Sequence, residues 1–185
     1  MAPLRQVPIP KPFHSVYLED LFEKCTGCEC DLLGEQVPYA VAKHFVVKEP
    51  VFEAALCLTC VASMQSQETQ ERITAFVQSL KRDLPEDFDP ETYTWEDGLK
   101  ACLLCAKLRE DCRRYQTLGV CMQAELLVAA PPSPSPYMIC EDCNEQMSKL
   151  LSKQTKDNWD RFMERITDDP PTIELDSPRF DPVFM

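Results

Sequence analysis

Four Cys-x-x-Cys pairs constrain this chain more than any other feature. Cys25-Thr26-Gly27-Cys28 is answered by Cys57-Leu58-Thr59-Cys60, and Cys102-Leu103-Leu104-Cys105 by Cys140-Glu141-Asp142-Cys143. Two such turns bring four thiolates to one point, which suits an ion of tetrahedral preference, and there are only two histidines to compete as ligands. The pattern predicts two closed four-cysteine sites with two Zn2+ per chain. Four cysteines also hold iron–sulfur clusters, so metal analysis has to separate the two.

At 185 residues the chain divides naturally into halves of about 80 to 90 residues, each too small for a large apolar core. A metal is the expected staple. Eleven cysteines would suggest disulfides in a secreted protein, but Met1 to Pro12 has four prolines and no apolar run of the kind a signal peptide needs. No stretch is apolar enough to span a bilayer, so a cytoplasmic, reducing address is expected and no membrane partner. The formal net charge is −12, and eight thiolates with two divalent ions would bring it near −16. Such a chain repels nucleic acid as a whole, which leaves only a local patch for that class of partner.

The halves resemble each other. Glu19-Asp20 precede Cys25 by six and five residues, as Glu96-Asp97 precede Cys102. Counted from the last cysteine of each half, Met64 matches Met147, Phe76 matches Trp159, Leu80 matches Met163 and Arg82 matches Arg165. Phe88-Asp89-Pro90 recurs as Phe180-Asp181-Pro182. Tandem duplication is the reading, with an N-terminal extension at 1–14, a first repeat at 15–90 and a second at 91–185.

Each repeat has the same predicted order. Ser15 or Thr94 caps a short lead-in helix, and the first CxxC is a turn. Strand-forming residues follow: Tyr39 to Val47 and Val51 to Leu56 in one repeat, Val120 to Ala130 and Tyr137 to Ile139 across a proline loop in the other. Both regions predict hairpins ending at the second CxxC. One helix then runs on from each second pair, to about Leu84 and Ile166, its apolar stripe interrupted at Gln65 to Arg72 and Ser152 to Asn158.

Knuckle, β-hairpin, then a helix whose first turn carries the last two cysteines resembles a treble-clef zinc finger. The resemblance implies a small zinc-stabilised α+β fold of two duplicated treble-clef-like units. It implies that Cys25, Cys28, Cys57 and Cys60 bind one zinc, and Cys102, Cys105, Cys140 and Cys143 the other. A cross-braced alternative joins the first pair to the third and the second to the fourth; sequential pairing is favoured because cross-bracing must thread across the predicted helix. The gaps of 28 residues between Cys28 and Cys57, and 34 between Cys105 and Cys140, are long for the group.

Catalytic chemistry has little to stand on. A site of four thiolates leaves no coordination position for substrate, and His44, read as a solvent-facing strand residue, has no second histidine to work with. Cys30, Cys112 and Cys121 read as small apolar fillers. The expectation is therefore a non-enzymatic structural or adaptor protein that binds another protein and no small-molecule substrate. The alternative is a regulator of nucleic-acid transactions, through Lys100, Lys107, Arg109, Arg113, Arg114, Lys149, Lys153 and Lys156 or as an acidic mimic. Acidic, aromatic segments at 83–97 and 168–185 are candidate docking elements. The apolar positions Phe76, Val77, Leu80 and Trp159, Phe162, Met163, Ile166 are expected to pack within the molecule.

Overall fold

A computed structural model describes residues 4–34, 36–80 and 88–166. Its strands are β1 (Arg5–Pro8), β2 (Pro38–Val46), β3 (Glu49–Cys57), β4 (Arg114–Met122), β5 (Glu125–Val128) and β6 (Tyr137–Cys140). The helices are α1 (Leu58–Met64), α2 (Gln67–Ser79), α3 (Trp95–Gly98), α4 (Glu141–Ser148) and α5 (Lys153–Ile166), giving a small α+β fold with one antiparallel sheet. Arg82, Leu84, the start of the acidic run at 83–87 and the tail at 168–185 lie outside the described residues.

The first hairpin forms as predicted, with its turn one residue earlier. Val47 and Lys48 have φ of 50° and 71°, the double left-handed turn whose twist matches the flanking strands. Pro50 therefore falls inside β3. It is tolerated because β3 is an edge strand and the register shifts between His44 and Phe45.

The second hairpin is different from the prediction. β6 pairs with β4, from Tyr115↔Cys140 to Leu118↔Tyr137, and not with the 125–130 segment. β5 turns back on the other end of β4 at Cys121↔Leu126 and Met122↔Glu125, and then pairs with β1. The start of β4 is hidden in the sequence by Arg114 and Gln116; Gln116 and Thr117 are buried all the same, because a central strand is covered on both faces.

The two halves share the sheet. β2 and β4 pair antiparallel along their whole length, from Pro38↔Met122 to Val46↔Arg114, giving the order β1-β5-β4-β2-β3 with β6 beside β4. The segment read as an N-terminal extension supplies β1 and the buried Phe13. Phe13 crosses Gly119 so closely that a Cβ there would stand 2.8 Å from its ring.

Each predicted long helix is two helices. Gln65 and Ser66 are extended, and the Ser66 hydroxyl accepts a hydrogen bond from the Thr69 N–H (3.2 Å), starting α2 afresh. Ser152 does the same for α5 through Thr155 N–H (3.1 Å). The apolar stripes interrupted in the sequence are thus two faces. Ile73 of α2 clusters with Met147 and Leu151 of the other half, with Phe76 and Val77 against them. Trp159 and Phe162 of α5 enter the main core with Val61 and Met64, and the Asn158 amide donates to Met64 O (3.3 Å). Phe76 and Val77, and Trp159, Phe162, Met163 and Ile166, thus pack within the molecule, each set across the boundary between halves, while Leu80 belongs to neither cluster.

Thr94 begins α3, where the Asp97 carboxylate accepts from the Thr94 N–H and hydroxyl (2.7 Å each). Ser15 begins no helix. Its hydroxyl accepts from Leu18 N–H (3.1 Å) as a cap would, but Glu19 takes φ 55° and Val16, Tyr17 and Leu18 face solvent, so no helical face is buried. The loop is instead tied to the sheet by Glu53. That carboxylate accepts from Ser15 Oγ (2.6 Å) and Val16 N–H (3.0 Å) and pairs with buried Lys43 (3.2 Å), whose Nζ also donates to His14 O.

His44 is fully buried, not solvent-facing, and lies edge-on to Phe52 at 5.6 Å. Burial disfavours the imidazolium and pulls its pKa from 6.5 down to about 3. Protonation therefore favours the unfolded chain: this contribution to stability is complete above about pH 6.5 and is lost as the pH falls toward the folded value. Between pH 6.5 and 5 it amounts to about 2 kcal/mol. Urea melts of the wild type and His44→Leu across this range are expected to show that extra loss in the wild type alone. Parallel pH profiles would refute it.

Candidate metal centres

The four thiol sulfurs of Cys25, Cys28, Cys57 and Cys60 lie within 4.8 Å of one another, and so do those of Cys102, Cys105, Cys140 and Cys143. The structure thus gathers the sequence-predicted residues in two sequential groups. Cys57 and Cys140 each end a strand and stand at the N-cap of a helix, so Cys60 and Cys143 fall in its first turn. There the free N–H groups and positive dipole end favour thiolate.

Local geometry repeats from one site to the other. Cys25 N–H donates to Cys30 O (2.9 Å) and Glu29 N–H to Cys25 O (2.9 Å); Cys102 N–H donates to Lys107 O (2.8 Å) and Ala106 N–H to Cys102 O (2.9 Å). These knuckles turn through Glu29 and Ala106, both left-handed at φ 60° and 61°. A matching backbone bond ties each to its sheet, Thr26 N–H to Ala55 O and Leu103 N–H to Met138 O, both 2.7 Å. No sequence signal marks those left-handed residues, since neither is Gly or Asn.

The donor set fits a tetrahedral ion. Cys28 and Cys57 sulfurs stand 3.8 Å apart and those of Cys105 and Cys140 3.6 Å. A tetrahedron with metal–sulfur bonds of about 2.3 Å has sulfur–sulfur edges of about 3.8 Å. Backbone N–H groups aim at the sulfurs: Gly27 (3.4 Å) and Cys57 (3.3 Å) donate to Cys25 Sγ, and Leu104 (3.4 Å) and Cys140 (3.3 Å) to Cys102 Sγ. Each group could hold a metal ion.

The thiols also need a cation. The Cys30 N–H draws the Cys28 pKa down to about 7, whereas burial pushes Cys140 up to about 12 and raises Cys60 and Cys143 as well. Four sulfurs this close do not all ionise without a compensating positive charge.

The remaining cysteines separate by environment. Cys112 and Cys121 are buried, with Cys112 Sγ donating to Leu108 O (3.3 Å), while Cys30 is half-buried beside the first group. Of the predicted basic set, Lys107 pairs with Asp142 (3.3 Å) and Arg114 with Glu141 (3.3 Å), both carboxylates in the first turn of α4, and Lys100 pairs with Asp97 (2.6 Å). Comparison with models of protein families, with curated proteins and with solved structures finds no match to this chain. Among the described residues no helix is long and apolar enough to cross a membrane.

Proposed function

We propose that this chain is a non-enzymatic adaptor: two duplicated treble-clef-like units, each stapled by one Zn2+, that present a rigid surface to a partner protein in the reducing cytoplasm. The observation that carries this reading is the origin of the four sulfurs in each group. They come from a knuckle, a strand end and a helix start, so a bound ion joins elements distant in sequence and has all four positions taken by protein. When bound, zinc would supply cross-linking strength at Cys25, Cys28, Cys57 and Cys60, and at Cys102, Cys105, Cys140 and Cys143. The recurring knuckle hydrogen bonds and the matched registers Tyr39↔Cys57 and Tyr115↔Cys140 support duplication. So does the pairing of Ser66 with Ser152 and Thr69 with Thr155, which shifts the correspondence of the second helices by three residues, so that Phe76 corresponds to Phe162.

The test is purification of the tagged full chain from native cells, with and without nuclease, alongside metal analysis. Two zinc ions per chain and protein partners retained after nuclease are expected. Iron, no metal, or partners released by nuclease would overturn the reading.

A further inference from the structure

In a chain of net charge −12, cations are expected among carboxylates. One concave region departs from that. A pocket of about 710 Å3 is floored by the paired residues Lys43↔Thr117 and Phe45↔Tyr115 of β2 and β4, with the Phe45 and Tyr115 rings stacked at 4.8 Å. Lys11, Lys48, Lys100 and Arg109 line it against one carboxylate, Glu110. Lys43 is committed to Glu53 and Lys100 to Asp97, but among the described residues Lys11, Lys48 and Arg109 are in no ion pair.

Two exposed apolar side chains line the same pocket, and three more adjoin its lining residues in sequence. Eight large hydrophobic residues are exposed among the described residues. Val16 (52%) and Leu108 (48%) line the pocket, Tyr17 (80%) and Leu18 (63%) follow Val16, and Val47 (62%) precedes Lys48. The 15–18 loop is held by Glu53, so this rim is preorganised.

Resting on the adaptor reading, we infer that this pocket is the docking site for an acidic segment of a partner protein, one in which carboxylates alternate with aromatic or aliphatic side chains. Three uncommitted cations match a few carboxylates, and the apolar rim matches the side chains between them. A nucleic-acid strand matches the cations and the Phe45 and Tyr115 rings but offers nothing aliphatic to Val16 and Leu108. It would also run beyond the pocket onto a surface of its own sign.

The probe is a fluorescein-labelled peptide alternating Asp and Glu with Phe and Leu, titrated with the zinc-loaded full chain and followed by anisotropy. Its amide counterpart, with Asn and Gln, and a labelled oligothymidine of similar charge serve as comparators. Saturable, salt-sensitive binding of the acidic peptide is expected, weakened roughly tenfold or more by K11E/K48E/R109E and also weakened by V16S/L108S. Lys153→Glu, away from the pocket, should leave it unchanged. Metal content and circular dichroism verify that the variants are folded. Equal binding by K11E/K48E/R109E, equal binding of the amide peptide, or tighter binding of oligothymidine overturns the inference. So does self-association in sedimentation that K11E/K48E/R109E abolishes, which would assign the pocket to a second copy of this chain. If partners still copurify with K11E/K48E/R109E, the adaptor reading stands and the pocket is not its docking site; if none copurify with the wild type, the adaptor reading itself fails.

Discussion

Replacing Cys140 by serine is expected to unfold the first half of the chain together with the second. Cys140 closes β6, stands at the N-cap of α4 and belongs to the second group of thiols, so its loss would remove a bound ion's hold on three elements. Structural zinc sites contribute about 10–16 kcal/mol in zinc-finger peptides, against a total stability of about 5–15 kcal/mol for an ordinary domain. One site is therefore worth as much as the whole fold. Two independent modules would confine the damage, but β2 and β4 are neighbours along nine residues and α5 contributes Trp159 and Phe162 to the core with Val61 and Met64. A strong chelator should accordingly abolish the helical circular dichroism in one transition. Cys140→Ser should remove amide-exchange protection at Val41 and Ala55 as well as at Ile139. Cys30→Ser, which alters no member of either group, should keep both. Surviving protection in β2 and β3 after Cys140→Ser would show that the halves fold separately.

How much of this was legible in the sequence follows from how local each signal is. The eight cysteines were readable because CxxC is a local spacing with one common physical use. The strand ends at Cys57 and Cys140 were readable because apolar runs stop where a capped helix must begin. What escaped was set by partners remote in sequence. Tyr115 and Thr117 favour a strand, but Arg114 and Gln116 beside them hide a buried one, since that stretch is flanked by β2 and β6 from remote parts of the chain. Helical spacing did not place the break, because Ile73, Phe76 and Val77, and Trp159, Phe162 and Met163, are each periodic only within their own stretch and face different neighbours from Met64 and Met147. His44 reads as a surface residue because nothing local to it marks β2 as a central strand, flanked by β3 on one side and β4 on the other.

The halves also join where four helix ends meet. Ser66 and Ser152 each cap their own helix, while each threonine reaches across: Thr155 Oγ1 accepts from Ser66 N–H (3.0 Å) and Thr69 Oγ1 from Ser152 N–H (2.9 Å). The hydroxyls close on each other, Ser66 with Ser152 and Thr69 with Thr155, at 2.7 Å each. Both threonines are fully buried, so water cannot replace a lost partner. Thr69→Val keeps the shape but strands the Ser152 N–H and one hydroxyl, which costs about 2–3 kcal/mol. Thr155→Val should cost about the same by the mirrored loss. The double variant should cost less than the sum by about 1 kcal/mol or more, because each single change leaves the other threonine's hydroxyl unmatched and the double removes both. Urea melts of the metal-loaded protein measure the cycle. Strict additivity would mean the two helix starts are held independently, and that the reciprocal bonds do not couple the halves.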